Sequence, residues 1–350
     1  MALPITPAKP VALNRTNPKI LHIVGDHKMG GVKSTLGGLV NSELANDFDF
    51  SVASIASDPT LRENWRSQPD LIVCHHPLRF KVLPHLLLLK WLNPHAKVLV
   101  HEHGYSQGYE TYNVKAIARF HTMLKIFYGL ADQVAAISQA QGNWMLKHHL
   151  VAPEKLKVIT QCPPLQHFFE VLPKPIGKPL VLAAYGRFCE HKGFDVLINA
   201  LKQIPHLPVQ LKLAGEGLLT AELKQLAEGL PHVEFVGRVD NVPQFLQACD
   251  AVVIPSRWEA WGNVCLEAKA AARPVIASDV DGLTEQVQNC GLLVPPDDPA
   301  KLAEAIAHLV SLPAEQLQTW GRNGRNAVQG SNERYLAEWK TLFQEVLGNF

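Results

Sequence analysis

The chain has 350 residues, 47% of them apolar and 19% charged, which is enough to bury two cores and too apolar for a disordered chain. Its 25 Pro and 23 Gly follow no period and its net charge is +1, so a fibrous chain is excluded and nothing in the overall charge argues for a nucleic-acid partner. The charge is uneven, however. Residues 1–165 hold 17 Lys and Arg against 11 Asp and Glu, residues 166–350 hold 16 against 21, and eleven of the 16 His lie in the first part. Two modules with different ligands are expected, the basic one facing an anion.

The opening residues 1–19 lack an apolar core and a small-residue cleavage site, so they read as a Pro-rich lead-in and not as a secretory signal. Short apolar, β-rich runs then follow at Lys19–Val24, Phe50–Ile55, Asp70–Cys74, Lys97–His101, Gln133–Ile137 and Lys157–Thr160. The most apolar window, 82–92, is too short to span a bilayer and is interrupted by Pro84, His85 and Lys90. Residues 162–179 hold five prolines and little periodicity; with 166–179 as its body, this stretch reads as a linker. A second series of runs follows at Leu180–Tyr185, Gln210–Ala214, Val233–Val236, Asp250–Ile254, Pro274–Ala277 and Leu292–Val294.

Most of these runs are continuously apolar, as parallel strands covered on both faces are, and helical segments such as Phe194–Gln203 and Ala260–Ala272 separate them. The expected fold is therefore α/β, with two Rossmann-like doubly wound parallel-sheet domains: 1–165 and 180–330. Residues 331–350 form a terminal amphipathic helix expected to pack back on the first domain. Six scattered Cys without a CxxC pair fit the reduced thiols of a cytoplasmic protein.

Several strand ends carry chemistry. After the first strand comes Asp26-His-Lys-Met-Gly30-Gly31-Val-Lys33, a glycine turn that lets backbone N–H groups approach a phosphate or simply enters a helix. Val32 stands where a Walker A lysine needs a glycine before it, and GxGxxG is absent, which disfavours NAD and an oxidoreductase. The segment His101-Glu102-His103-Gly104 ends a strand where open sheets bind ligands, with both His on one side. Ligand contact is favoured there over a structural role; no complete metal-ligand set is visible in sequence, so no metal is expected. The pair His75–His76 ends another strand and His148–His149 reads as helix surface. In the second half, Gly186-Arg187 and Lys192-Gly193 offer two cations for a diphosphate or merely a solvated loop. Ala214-Gly215-Glu216-Gly217 is a glycine-rich strand end. Glu259 and Glu267 lie eight positions apart, in a loop and in the next helix, with Gly262 and Asn263 marking that helix's start.

In this segment the sequence resembles the retaining glycosyltransferases of family 4, which have the GT-B fold of two such domains facing across a cleft. Glu259-x7-Glu267 matches the family's paired glutamates, with Trp261 where Phe is more usual, and Gly186-Arg-Phe…Lys192-Gly-Phe-Asp-Val-Leu-Ile198 matches its phosphate clamp. Ala214–Gly217, Val233–Val239 and Gly291–Pro299 match in the same order. The first half is thinner, resting on Gly30-Gly31, His103-Gly104 and Ala131–Ser138.

The resemblance implies a sugar moved from a nucleotide diphosphate sugar (UDP- or GDP-sugar) to a glycan or lipid-linked acceptor, with retained configuration. Such work belongs to cell-surface polysaccharide or glycolipid synthesis. It implies Arg187 and Lys192 on the leaving diphosphate in place of a metal or other cofactor, with His103 and Glu259 at the transferred sugar. Glu267 would accept from the ribose, and the backbone of Trp261, Gly262, Asn263 and Val264 would position the sugar. Gly30, Gly31, Gly186 and Gly215 would allow close approach, and the base would lie near Val236 and Arg238. An epimerase or hydrolase of the same fold and a non-catalytic nucleotide-sugar-binding subunit are the alternatives. Basic residues Lys115, Arg119 and Lys125 among apolar ones over Asn113–Leu130 suggest either a packed helix or peripheral contact with the inner membrane face.

Overall fold

The computed structural model describes residues 17–25, 30–54, 68–75 and 77–348. Asp26–Met29 of the first glycine turn and His76 lie outside the described residues.

Residues 19–158 form a six-stranded sheet from β1 (Lys19–Val24), β2 (Asp49–Ser54), β3 (Leu71–Cys74), β4 (Lys97–Glu102), β5 (Gln133–Ala136) and β6 (Leu156–Val158). Every pairing is parallel and the spatial order is β2-β1-β3-β4-β5-β6. Its helices are α1 (Gly30–Val40), α2 (Leu83–Leu92), α3 (Gln107–Asn113), α4 (Ile117–Leu130) and α5 (Gln139–Lys147). A second parallel sheet comprises β7 (Leu180–Tyr185), β8 (Val209–Ala214), β9 (Val233–Gly237), β10 (Ala251–Ile254), β11 (Val275–Ser278) and β12 (Gly291–Val294). Its order is β12-β11-β10-β7-β8-β9.

Both orders reverse once, between β1 and β3 in the first sheet and between β7 and β10 in the second. Strand ends diverge at such a reversal and leave a crevice at their carboxyl edge. The loops after β1, β3, β7 and β10 therefore hold most of the residues of interest, and folding topology alone puts them there. Strands β3 and β10 are buried along their whole length, which is why they read as unbroken apolar runs.

The second sheet carries α7 (Phe194–Gln203), α8 (Thr220–Leu226), α9 (Val242–Gln247), α10 (Asn263–Ala270), α11 (Asp281–Gln286), α12 (Pro299–Ser311) and α13 (Ala314–Val328). Helix α14 (Ser331–Leu347) returns to the first sheet: Tyr335, Trp339, Leu342 and Phe343 are buried with Ile20, Leu71, Val73 and Leu99.

Three expectations need correction. The helix expected over Ala260–Ala272 begins only at Asn263, because Gly262 turns the chain at φ 94°. Asn113–Leu130 is not one segment: α3 ends at Asn113 and α4 starts at Ile117, with Val114 extended between them. The stretch expected to be a bare linker contains a short helix, α6 (Gln166–Phe169), whose Phe168 packs against a core of the second sheet.

Candidate active site

Glycines shape the floor of the cleft. Gly186, at the end of β7, has φ 144° and lies under the Lys192 stem; a Cβ there would sit 3.7 Å from Lys192 Cε. Gly215, after β8, has φ 137°, and a Cβ would meet the Gly186 carbonyl oxygen at 1.9 Å, so no other residue fits. With Tyr185, Arg187, Glu216, Arg238, Val239 and Val242 they line a cavity of about 390 Å³. Val236 does not line it; this residue faces solvent on the last strand of the sheet, and Arg238 and Val239, past the end of that strand, take its place.

Lys192 and Glu259 meet as an ion pair, and the Ser256 hydroxyl donates to the same carboxylate at 3.5 Å. Burial pushes the Glu259 carboxyl up, but the Lys192 ammonium outweighs it and leaves the group below the usual carboxylate range. Arg257 fixes the pair's geometry. Its guanidinium grips Asp195 at 3.0 and 2.6 Å, Asp297 at 3.0 Å and the Glu190 carbonyl at 2.6 Å. This ties the turn that carries Lys192 to the loop that carries Glu259. Arg187 is exposed at the cavity wall.

Glu267, on the first turns of α10, accepts from the Tyr185 hydroxyl at 2.8 Å. Burial pushes its carboxyl up to about 7, against the opposing effects of Tyr185 and Lys192. Val264 is partly buried against that core of the second sheet. Gly31, the second residue of α1 after Gly30, approaches the N-terminus of α10: a Cβ on it would lie 3.1 Å from Asn263 Nδ2.

Three contacts across the cleft were not legible in the sequence. Gln161, buried after β6, donates to Asn263 Oδ1 at 3.0 Å, accepts from His103 Nδ1 at 3.0 Å through its amide oxygen, and accepts from Trp261 Nε1 at 2.6 Å through its carbonyl. Trp261 thus acts as a cross-domain peg, a role its indole N–H provides and a Phe would not. Asp281, in a left-handed conformation at φ 42°, accepts from Ser106 at 2.8 Å, Gly108 N at 3.0 Å and Glu259 N at 3.1 Å. Glu285 caps α5 by accepting from the backbone N–H groups of Gln139 and Ala140. An isolated Gln and two acids in an ordinary helix leave no pattern to read.

His103 does not stand alone. His75 Nδ1 lies 2.9 Å from its Nε2, and His22 Nδ1 lies 2.9 Å from His75 Nε2. Because the Gln161 amide donates to Asn263, its oxygen must accept, so His103 carries its proton on Nδ1 and the chain of donors runs back through His75 to His22. Burial holds all four histidines, His101 included, below the ordinary imidazole range, His103 at about 4 and His22 at about 3. Both nitrogens of His101, which is 2% exposed, lack a hydrogen-bond partner among the described residues. An unsatisfied group of this kind costs about 1–3 kcal/mol. The expectation of no metal-ligand set is corrected here: His75, His101 and His103 place one ligand atom each within 4.8 Å of one another. The set was hidden because His75 comes from a different strand.

A family model described as Glycosyl transferases group 1 matches residues 179–311, and one described as Glycosyltransferase Family 4 matches residues 37–162. The chain belongs to the family 4 glycosyltransferases. An uncharacterized glycosyltransferase of Methanocaldococcus jannaschii is 38% identical over 168 residues, 46% of this chain and 47% of that one. The lipopolysaccharide core biosynthesis glycosyltransferase LpsD of Rhizobium meliloti is 38% identical over 148 residues, 40% of this chain and 43% of that one. These matches span less than half the length of either relative. Among solved structures, Anabaena HepE in complex with UDP and glucose superimposes with a TM-score of 0.76 at 20% identity, covering 94% of this chain and 100% of that one. This family 4 chain thus has the GT-B fold, two doubly wound domains facing across a cleft.

Proposed function

We propose that the chain transfers a sugar from a nucleoside diphosphate sugar to a glycan or lipid-linked acceptor, with retained configuration and without a metal on the diphosphate. The observation that carries this reading is the Lys192–Glu259 pair beside the glycine-floored cavity, with Glu267 at its edge. The cavity takes the base and ribose, and Glu267 accepts from the ribose hydroxyls. Arriving phosphates draw Lys192 off Glu259, which frees the carboxylate for the sugar's hydroxyls; Lys192 and the exposed Arg187 then stabilise the departing diphosphate. His103 faces the sugar from the opposite domain. With Glu259 engaged by the sugar's hydroxyls, no carboxylate is assigned as a nucleophile, so attack and departure share one face of the sugar. UDP is the favoured nucleotide because HepE, which shares the fold, was solved with UDP and with UDP-glucose.

The acceptor side has two supports. A cavity of about 470 Å³ between α3, α5 and α11 is lined by Tyr112, Asn143, Arg257, Asp279 and Asp281, and it shares Asp281 with the sugar end of the cleft. On the outer surface, Trp91 is 75% exposed near the basic α4, where Lys90 reaches the Leu130 carbonyl and the Arg119 guanidinium lies 5.7 Å from the Phe80 ring centre. No helix among the described residues is long and apolar enough to cross a membrane; this basic, aromatic face suits peripheral contact.

Calorimetry against UDP, GDP, ADP and their sugar conjugates in metal-free buffer tests the donor, and NMR of the product's anomeric proton with and without acceptor tests the reaction. One nucleotide bound by the parent and lost in Arg187→Ala, with a retained anomer in the product, is expected. Absence of nucleotide binding, an inverted product, or turnover of donor alone to an epimer or free sugar overturns it.

A further inference from the structure

We propose that His75, His101 and His103 form a binding site for a divalent transition metal of the zinc type, separate from any role of metal at the diphosphate. The case begins with register. Cys74 of β3 pairs with Val100 of β4, so the next residues, His75 and His101, are neighbours across the ladder. His103 lies two positions beyond His101, on the same side of the chain. His22 joins them because it pairs with Val73, two positions before His75. Four imidazoles from three strands therefore share one face at the sheet's reversal point.

Three features distinguish this cluster from a merely packed one. The ligand atoms of the three histidines lie within 4.8 Å of one another, and a tetrahedral zinc–histidine site needs its nitrogens about 3.3 Å apart. The His75–His103 pair already meets that at 2.9 Å, which leaves His101 to close in by turning its ring. Second, the nitrogens pointing away from the cluster already have partners of the outer-shell kind. His103 Nδ1 is held by Gln161 Oε1, and His75 Nε2 by His22 Nδ1. Such partners orient metal-bound imidazoles and fix which nitrogen is bare. Third, both nitrogens of the buried His101 lack a hydrogen-bond partner among the described residues, and its ring centre is 3.9 Å from that of His103. A lone pair buried without a donor is what an ion would satisfy.

Binding requires His75 to move its proton from Nδ1 to Nε2, where it donates to His22 Nδ1, and His22 to carry its own on Nε2. No proton has to leave the protein. Each imidazole binds through one bare nitrogen, as a metal-bound histidine does. Three neutral histidines leave a fourth position open, as in three-histidine zinc sites, and that position points to the cleft, since His103 is the member that contacts the opposite domain through Gln161. If the donor reading above also holds, an ion here withdraws His103 from the sugar and competes with the donor.

The test uses the tag-free 350-residue chain with Zn²⁺ and Co²⁺ as probes and reads binding alone, so its failure leaves the transferase reading untouched. Zinc affinity is measured by competition with a chromophoric chelator, and the visible spectrum of the Co²⁺ form reports coordination number. One equivalent of metal and an intense four-coordinate cobalt spectrum are expected. His101→Gln should weaken zinc binding by more than the roughly 10–100-fold that a lost outer-shell partner costs. His148→Gln should leave it unchanged; His148 and His121, half-buried with ring centres 4.9 Å apart, are the competing pair. No binding, an octahedral cobalt spectrum, or loss of binding in His148→Gln overturns the proposal. Should His101→Gln fail to fold, the parent's cobalt spectrum and its zinc-induced rise in melting temperature, absent in His75→Gln, decide it.

Discussion

Replacing Glu267 by Gln separates the electrostatics of the nucleotide site from its shape. In the folded protein this carboxyl is pushed from 4.5 to about 7, chiefly by burial. A carboxyl raised on folding favours the folded state most strongly below its unfolded value, and that contribution disappears as pH climbs through the folded one. A displacement of that size corresponds to about 3 kcal/mol. Glu267 is only partly buried, so solvent screening reduces this to about 1–2 kcal/mol. Relative to the parent, Glu267→Gln should therefore gain stability between about pH 4.5 and pH 7, a rise in melting temperature of about 2–4 °C for each kcal/mol. Donor affinity should move the other way, because ribose hydroxyls donate to the ionised form. In the parent, affinity for UDP-glucose should increase up to about tenfold from about pH 6 to pH 8 as the ionised fraction rises from about one tenth to nine tenths. Glu267→Gln should bind weakly at every pH. Thermal melts across this range and calorimetry with UDP-glucose, whose diphosphate diester does not titrate there, check both. Equal pH slopes in parent and variant would refute the account of Glu267.

Other expectations follow from the same geometry. Lys192→Met leaves Glu259 buried without its partner and should cost about 3 kcal/mol by chemical denaturation, whereas Lys192→Met with Glu259→Gln should recover most of that loss. Removing the two interdomain bonds of Asp281, and its bond from Glu259 N, with Asp281→Gly, which tolerates the left-handed backbone, should cost about 2–4 kcal/mol. It should also raise the radius of gyration in small-angle scattering, and an unchanged radius would deny Asp281 a latching role. Gly215→Ala forces a methyl onto the Gly186 carbonyl and should abolish nucleotide binding, read by calorimetry. Weak, salt-sensitive binding to anionic vesicles, with a blue shift of tryptophan fluorescence lost in Trp91→Ser, is expected if the exposed basic face meets a membrane.

Much of this was written locally. Strand runs such as Lys19–Val24 and Leu180–Tyr185 coincide with their strands because residues buried on both sheet faces must be apolar throughout. Arg187, Lys192, Glu259 and Glu267 could be singled out because they lie near a glycine or a helix start, and the roles proposed for them come from the family resemblance. What failed to show was whatever depends on register or on the meeting of the two sheets. His75 joins His101 only through the pairing of β3 with β4, and Gln161 reaches Asn263 from 102 positions away. Arg257 reads as one loop cation among many until Asp195 and Asp297 are brought to it.

The return of α14 to the first sheet bears on the order in which the protein assembles during synthesis. The sheet face formed by Ile20, Val73 and Leu99 emerges from the ribosome early, yet Trp339 and Phe343, both fully buried against it, are made only after the whole second sheet. Until then the part of that face not covered by Leu36, Leu39 and Phe48 stays open to water and to other chains, while the main core of the second module contains no residue of α14. The module made first is thus the one completed last, and a nascent chain stalled before Ser331 would carry a partly uncovered apolar sheet, a natural target for chaperones.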